Sequence, residues 1–194
     1  MATSRVSTSS ILQGFPKSRS LLSGNPAYSP PLFESIATAT GNGSSGTITF
    51  SSIPSTYQHL QIRLQVIASG GGGESIRFNS DTGNNYARHS VGGNGSSVFS
   101  SGTASTNQIF IGDDAAATNP ATMIIDIHDY ASTTKNKTVR SRFGHDRNGA
   151  GSVYLYSGVW LNTNAVTSLS LGIGLFGGIF DTGTVASLYG IKGA

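Results

Sequence analysis

The stretch QHLQIRLQVIA, residues 58–68, alternates Leu60, Ile62, Leu64 and Val66 with Gln61, Arg63 and Gln65. Successive side chains of a strand point to opposite faces, so this run has one apolar and one wet face, as in a strand on the wall of a core. A helix would scatter the same residues around its circumference. Outward from this run the same texture recurs: FESIATAT (33–40), GTITFS (46–51), SIRFN (75–79), NYARHSV (85–91) and NQIFIG (107–112), then ATMIIDIHDY (121–130), KTVRSRFG (137–144), SVYLYSGVWLN (152–162), TSLSLGIG (167–174) and TVASLYGI (184–191). Gly, Asn and Ser clusters separate them, and no stretch carries a helical period. SGGGGES (69–75) and VGGNGSSVFSSG (91–102) read as low-complexity loops. No clean repeat of fixed period is present.

Composition agrees. The 194 residues include 26 Gly, only 11% charged and 37% hydrophobic residues, and few of the strong helix formers. Such a chain is long enough for one domain with a real core and too short for two ordinary ones. The expected fold is all-β, a jelly-roll-like β-sandwich of roughly ten strands with an extended N-terminal arm. The arm is set at residues 1–31, where Pro16, Pro26, Pro30 and Pro31 remove backbone donors, and the body at 32–194.

Several function classes are disfavoured. Without cysteine there is no disulfide framework and no thiolate metal site. With no apolar run of 18 residues and no leader-like N-terminus, the chain reads as soluble and unprocessed, with no membrane partner. The net charge of +3 suggests nucleic acid, but it comes from Arg5, Lys17 and Arg19 in the arm, because residues 32–194 carry nine basic and nine acidic side chains. A neutral body lacks the basic footprint of a phosphate-backbone binder, so no nucleic-acid partner is expected.

Chemical motifs are weak. GNGSSG (41–46) spells the dinucleotide fingerprint, but strand-like TITF follows where a helix N-terminus is required, so it reads as a hairpin turn. DIHDY places Asp126 and His128 on one strand face, and His145 and Asp146 could join them, yet the spacing fits no standard metal motif and a polar solvent face explains it. No G-x-S-x-G elbow and no activated acid/base pair can be named; His59 and His89 read as surface residues, and Asp113 and Asp114 fall in a turn-like stretch. The expectation is therefore no enzyme, no cofactor and no metal. Asn42, Asn94 and Asn136 open N-x-S/T sequons, which matter only on a secretory route.

Two sets of residues remain. Tyr154 and Tyr156 share a strand face, and with Trp160 they form an aromatic cluster suited to the core, to a subunit contact or to stacking against a sugar. The stretch ILQGFPKSRSLL (11–22) puts Ile11, Leu12, Phe15, Leu21 and Leu22, with Pro16, Lys17 and Arg19, into an otherwise Ser-, Thr- and Pro-rich segment. Large apolar residues gain nothing in a free tail, so this segment reads as an arm that docks on another subunit, its prolines lowering the ordering cost.

The phrases FESIATATG, TITFSSIPSTYQHLQIRLQV, IRFNSDTGNNYARH, IIDIHDYASTTKNKTVRSRFG and ASLYGIKG resemble a family of small virion structural proteins of tailed bacteriophages, including those infecting cyanobacteria. The resemblance covers residues 32–194 and leaves the arm outside. It implies a β-sandwich body on the particle, as a capsid decoration (cement) protein or a tail or fibre component, with no catalytic motif. The expected partners are the major capsid protein, or a tail protein, beneath the arm and further copies of the chain in a homotrimer. The alternative is an adsorption module of the tail that binds host glycans through its aromatics.

Overall fold

The computed structural model describes residues 32–113, 119–146, 148–174 and 177–193. The docking residues from Ile11 to Leu22 lie outside the described residues, as does Asp114. Fourteen strands are present among the described residues: β1 (Phe33–Thr40), β2 (Thr47–Phe50), β3 (His59–Val66), β4 (Ala68–Ser69), β5 (Glu74–Phe78), β6 (Tyr86–Gly93) and β7 (Val98–Thr106), then β8 (Ile109–Phe110), β9 (Ala121–His128), β10 (Lys137–Asp146), β11 (Gly151–Trp160), β12 (Leu169–Ile173), β13 (Ile179–Phe180) and β14 (Val185–Ile191). There is no helix among them. Every pairing is antiparallel. Eight strands form one sheet in the order β1-β14-β3-β9-β10-β11-β6-β7, four form a second in the order β2-β12-β5-β8, and β13 pairs with β4.

The all-β sandwich expected from the alternating runs is thus the fold. Leu60, Ile62, Leu64 and Val66 of β3 face Ile127, Ile125, Met123 and Ala121 of β9 in direct register. All eight are buried, and they pack in one core cluster with Ile48, Phe50, Ile76, Phe78, Leu169 and Leu171 of the smaller sheet. Each such aliphatic side chain contributes about 1.5–3 kcal/mol relative to exposure. At one edge of the large sheet, Lys192 Nζ donates to Glu34 Oε1 at 2.7 Å and the Tyr57 hydroxyl to Glu34 Oε2 at 2.9 Å, tying β1 to the chain that leaves β14.

Two readings are corrected. The loop assigned to 91–102 is largely strand: β6 runs to Gly93, and β7 begins at Val98 and pairs with β6 through seven register partners. The turn at 41–46 is not a hairpin, because β1 and β2 belong to different sheets. It is an Asx turn that crosses between layers, with Asn42 Oδ1 accepting from the amides of Ser44 and Ser45 at 2.9 Å and Gly43 at φ 73°. Of the alternatives open for the aromatic cluster, Trp160 takes the core. It is 1% exposed, packs against Phe78 and Tyr86, and donates its indole N–H to Asp81 Oδ2 at 2.7 Å.

The carboxylate of Asp81 organises the loop beneath that indole. Burial acts to raise its pKa, but hydrogen bonds from Trp160, Asn85 and the Gly83 amide outweigh it and leave the group below its ordinary value. Tyr86 completes the arrangement, its hydroxyl accepting from the Phe78 amide and donating to the Asp81 carbonyl, each at 3.1 Å. A buried lysine, Lys137, closes the far side by donating Nζ to the carbonyls of Lys135 at 2.6 Å and Thr163 at 3.1 Å. Burial pushes its pKa down, and the two carbonyls supply partners that a buried ammonium requires.

Candidate functional site

The large sheet has eight strands to the small sheet's four, and β8, the last strand of the smaller sheet, packs on β11 and β6, leaving β7 as the outer edge. Residues directly opposite in an antiparallel ladder share a face. On the inward face of this end, Tyr156 lies across from Ser90 and Ser90 across from Ser101, while in the next row Tyr154 lies across from Gly92 and Gly92 across from Phe99. Arg88 stands one step further along β6, on the same face as Tyr86 and Ser90. Together with Phe110 of β8 and Asp113 beyond it, these side chains line a cavity of about 300 Å³.

Glycine makes that geometry possible at one position. A Cβ on Gly92 would come within 2.3 Å of the Tyr154 ring. The ring therefore lies close over the β6 backbone and stacks on Phe99, centroids 6.2 Å apart and planes 16° apart, and on Tyr156, centroids 5.4 Å apart. An aromatic ladder runs across β11 and β7 as a result.

The charged groups of the cavity are unusual. The Arg88 guanidinium carbon lies 3.3 Å from the centroid of the Phe110 ring, a close cation–π contact. Its Nη1 is buried and has no hydrogen-bond partner among the described residues. Burial lowers the pKa of Arg88, which nevertheless stays cationic at neutral pH. Burial, and then the nearby Asp113 carboxylate, push the Tyr154 phenol up, and the same two influences push Tyr156 up further. Both tyrosines are neutral donors across the physiological range.

The three aromatics singled out from sequence therefore separate. Tyr156 is buried and contributes to the cavity wall, Trp160 belongs to the core, and Tyr154 is the one that reaches the surface. Arg88, Phe99, Phe110, Ser90 and Ser101 were not anticipated. One signal was available: Arg88 alternates in phase with the inward Tyr86, so an arginine points where the strand pattern asks for an apolar residue.

The polar strand face at DIHDY holds no ligand set. Thr138 of β10 pairs with His128, and His145 lies seven residues further along the same strand, about 23 Å away at the usual rise. Asp126 instead accepts from Gln61 Nε2 at 2.8 Å, and Asp129 pairs with Lys135 at 2.8 Å. No group of three or more His, Cys, Asp or Glu placed to hold a metal occurs among the described residues. His59 is more than a surface residue, because its Nδ1 accepts from the Asp129 amide at 3.0 Å, which fixes the proton of the neutral ring on Nε2.

The outward face of the same end is apolar. Leu155 lies across from Val91, and Val153 across from Gly93, which lies across from Val98. Val98 is 83% exposed, Val153 66%, and Val91 and Leu155 48% each. Four aliphatic side chains thus form one patch beside the β7 edge.

Set against known proteins, the chain matches no family model, no curated protein and no solved structure.

Proposed function

We propose that the chain is a non-enzymatic structural protein of a tailed-phage virion, a capsid decoration (cement) protein with a jelly-roll-like body that assembles into homotrimers on the shell and docks on the major capsid protein through residues 11–22. The observation that carries this reading is the open end of the large sheet. β7 is an edge strand of nine residues, none of them charged, and its outward Val98 lies beside the exposed Val91, Val153 and Leu155. Edge strands of monomers are ordinarily protected by Lys, Pro, bulges or brevity. Here the register irregularity sits between Tyr86 and Arg88, at the opposite end of the ladder from Val98. A second copy laid against this edge pairs its free backbone groups and covers the aliphatic patch, as in the cyclic assemblies that most homo-oligomers form.

The resemblance to small phage virion proteins supports the same reading. Its phrases coincide with β1, with β2 and β3, with β5 and the start of β6, with β9 and β10, and with β14, strands drawn from both sheets of the sandwich. Arm contacts repeated over symmetry-related copies would add avidity without any single tight site.

Cryo-EM reconstruction of the intact particle tests the proposal. Density at regular lattice positions over the shell, with residues 11–22 lying on capsid subunits, is the expected result, and deletion of residues 1–24 should abolish particle binding while leaving a folded body. Density confined to the tail or its fibres overturns the cement role and moves the chain to adsorption; unchanged occupancy of the deletion variant overturns the docking arm.

A further inference from the structure

We infer that the cavity between β8 and the β11-β6-β7 end is a carbohydrate subsite that takes one neutral pyranose ring, with Phe99 and Tyr154 as the stacking wall and Arg88 and Asp113 as the groups that read its hydroxyls. This goes beyond the virion role proposed above and does not depend on where on a particle the chain sits.

The chemistry of the lining selects that ligand class. A cavity of about 300 Å³ lies at the small end of small-molecule sites, which run to about 1,000 Å³. Its walls combine flat apolar surface with a few convergent polar groups, the pattern such sites share. A pyranose has the complementary form, with C–H groups on one ring face and hydroxyls around the rim. The stacked pair Phe99 and Tyr154 offers the apolar face, and Phe99 is exposed enough to be covered by a ligand.

The polar groups select further. Arg88 has donors directed by a planar guanidinium clamped on Phe110, and its Nη1 has no partner among the described residues. A buried donor left unmade is costly, so this group favours any occupant that brings an acceptor. Vicinal hydroxyl oxygens match a guanidinium fork. Asp113 lies in the same cavity, its carboxylate hydrogen-bonded by the Tyr154 hydroxyl and keeping further lone pairs for a ligand hydroxyl, and Ser90 and Ser101 add hydroxyls that donate or accept. The two opposite charges also argue against an anion, because a phosphate or uronate that gains Arg88 must face Asp113.

Saturation-transfer NMR on the full chain, with a panel of neutral hexoses, the corresponding uronic acids and inorganic phosphate, tests the assignment. Transfer to ring protons of at least one neutral hexose is expected. Arg88→Met should weaken binding about tenfold or more, as for loss of a hydrogen bond to a charged group, and Phe99→Ala about fivefold, as for loss of an aromatic stacking contact. Phe99 is partly exposed on an edge strand, so its alanine variant keeps the experiment decisive should the Arg88 variant misfold. Absence of transfer from every neutral hexose overturns the inference, as does binding of the uronates or phosphate in their place, or neutral-sugar binding that Phe99→Ala leaves unchanged.

Discussion

The middle of the large sheet and its β11-β6-β7 end are made of the same kind of strand, yet they distribute polar and apolar side chains differently over the two faces. In β3 and β9 the inward positions are Leu60, Ile62, Leu64, Met123, Ile125 and Ile127, and the outward ones include Gln61, Arg63 and Asp126. At the far end, Arg88, Ser90 and Ser101 point inward among the aromatics Tyr86, Tyr154, Tyr156 and Trp160, and Val91, Val98, Val153 and Leu155 point outward. The difference follows from coverage. The smaller sheet ends at β8, two residues long, which packs on β11 and β6, while β7 pairs with β6 alone, so the layer above this end is incomplete and polar side chains stand inward beside the buried aromatics. An outward face that is aliphatic at this end marks a surface under a constraint other than folding.

Removing the anchor at the boundary of the two regions should have the largest effect. Trp160→Ala empties a site lined by Phe78 and Tyr86 and strips Asp81 of its indole donor. A loss of about 3–5 kcal/mol is expected from denaturant unfolding. A value below 1 kcal/mol, by the ordinary surface-substitution standard of about 0.5 kcal/mol, would show that the boundary is not part of the core.

A smaller effect is read from alkaline unfolding. Burial pushes the Tyr86 phenol up to about 12, whereas an unfolded tyrosine titrates near ~10. The folded state keeps a proton that the unfolded chain gives up, so this contribution is complete below the unfolded value and is lost as pH rises through the folded one. Thermal unfolding should show Tm falling across that window. Tyr86→Phe should flatten the fall while lowering Tm at neutral pH through the loss of the hydroxyl's bonds to Phe78 and Asp81. An unaltered slope in the variant would assign the decline to other groups.

Much of the fold was legible in the sequence, and the reason is periodicity. The eleven alternating runs all fall on strands because their inward positions are buried by a second layer, which is the condition that imposes alternation. β7 was missed for the converse reason. VFSSGTAST has no apolar alternation, since it pairs with β6 alone and no layer covers it. β4 and β13 are two residues each, too short for any period to register. The aromatic cluster was half legible. Alternation put Tyr154 and Tyr156 on one face, but whether that face meets core or cavity depends on where the smaller sheet stops, and β8 is placed by tertiary packing, with Ile109 filling the space that Gly158 leaves open. Arg88 carried a signal of its own, an inward charge in phase with Tyr86.

The measurement that tests this difference between the two regions most directly is the oligomeric state of the wild-type chain beside Val98→Lys/Leu155→Lys, by sedimentation velocity and native mass spectrometry. Both side chains are exposed, so the double variant should unfold within about 0.5 kcal/mol per substitution of the wild type. A wild-type trimer and a folded, monomeric variant are the predicted results. A wild-type chain that stays monomeric at every concentration, or a variant that assembles as well as the wild type, would contradict the assignment of this end of the sheet to assembly.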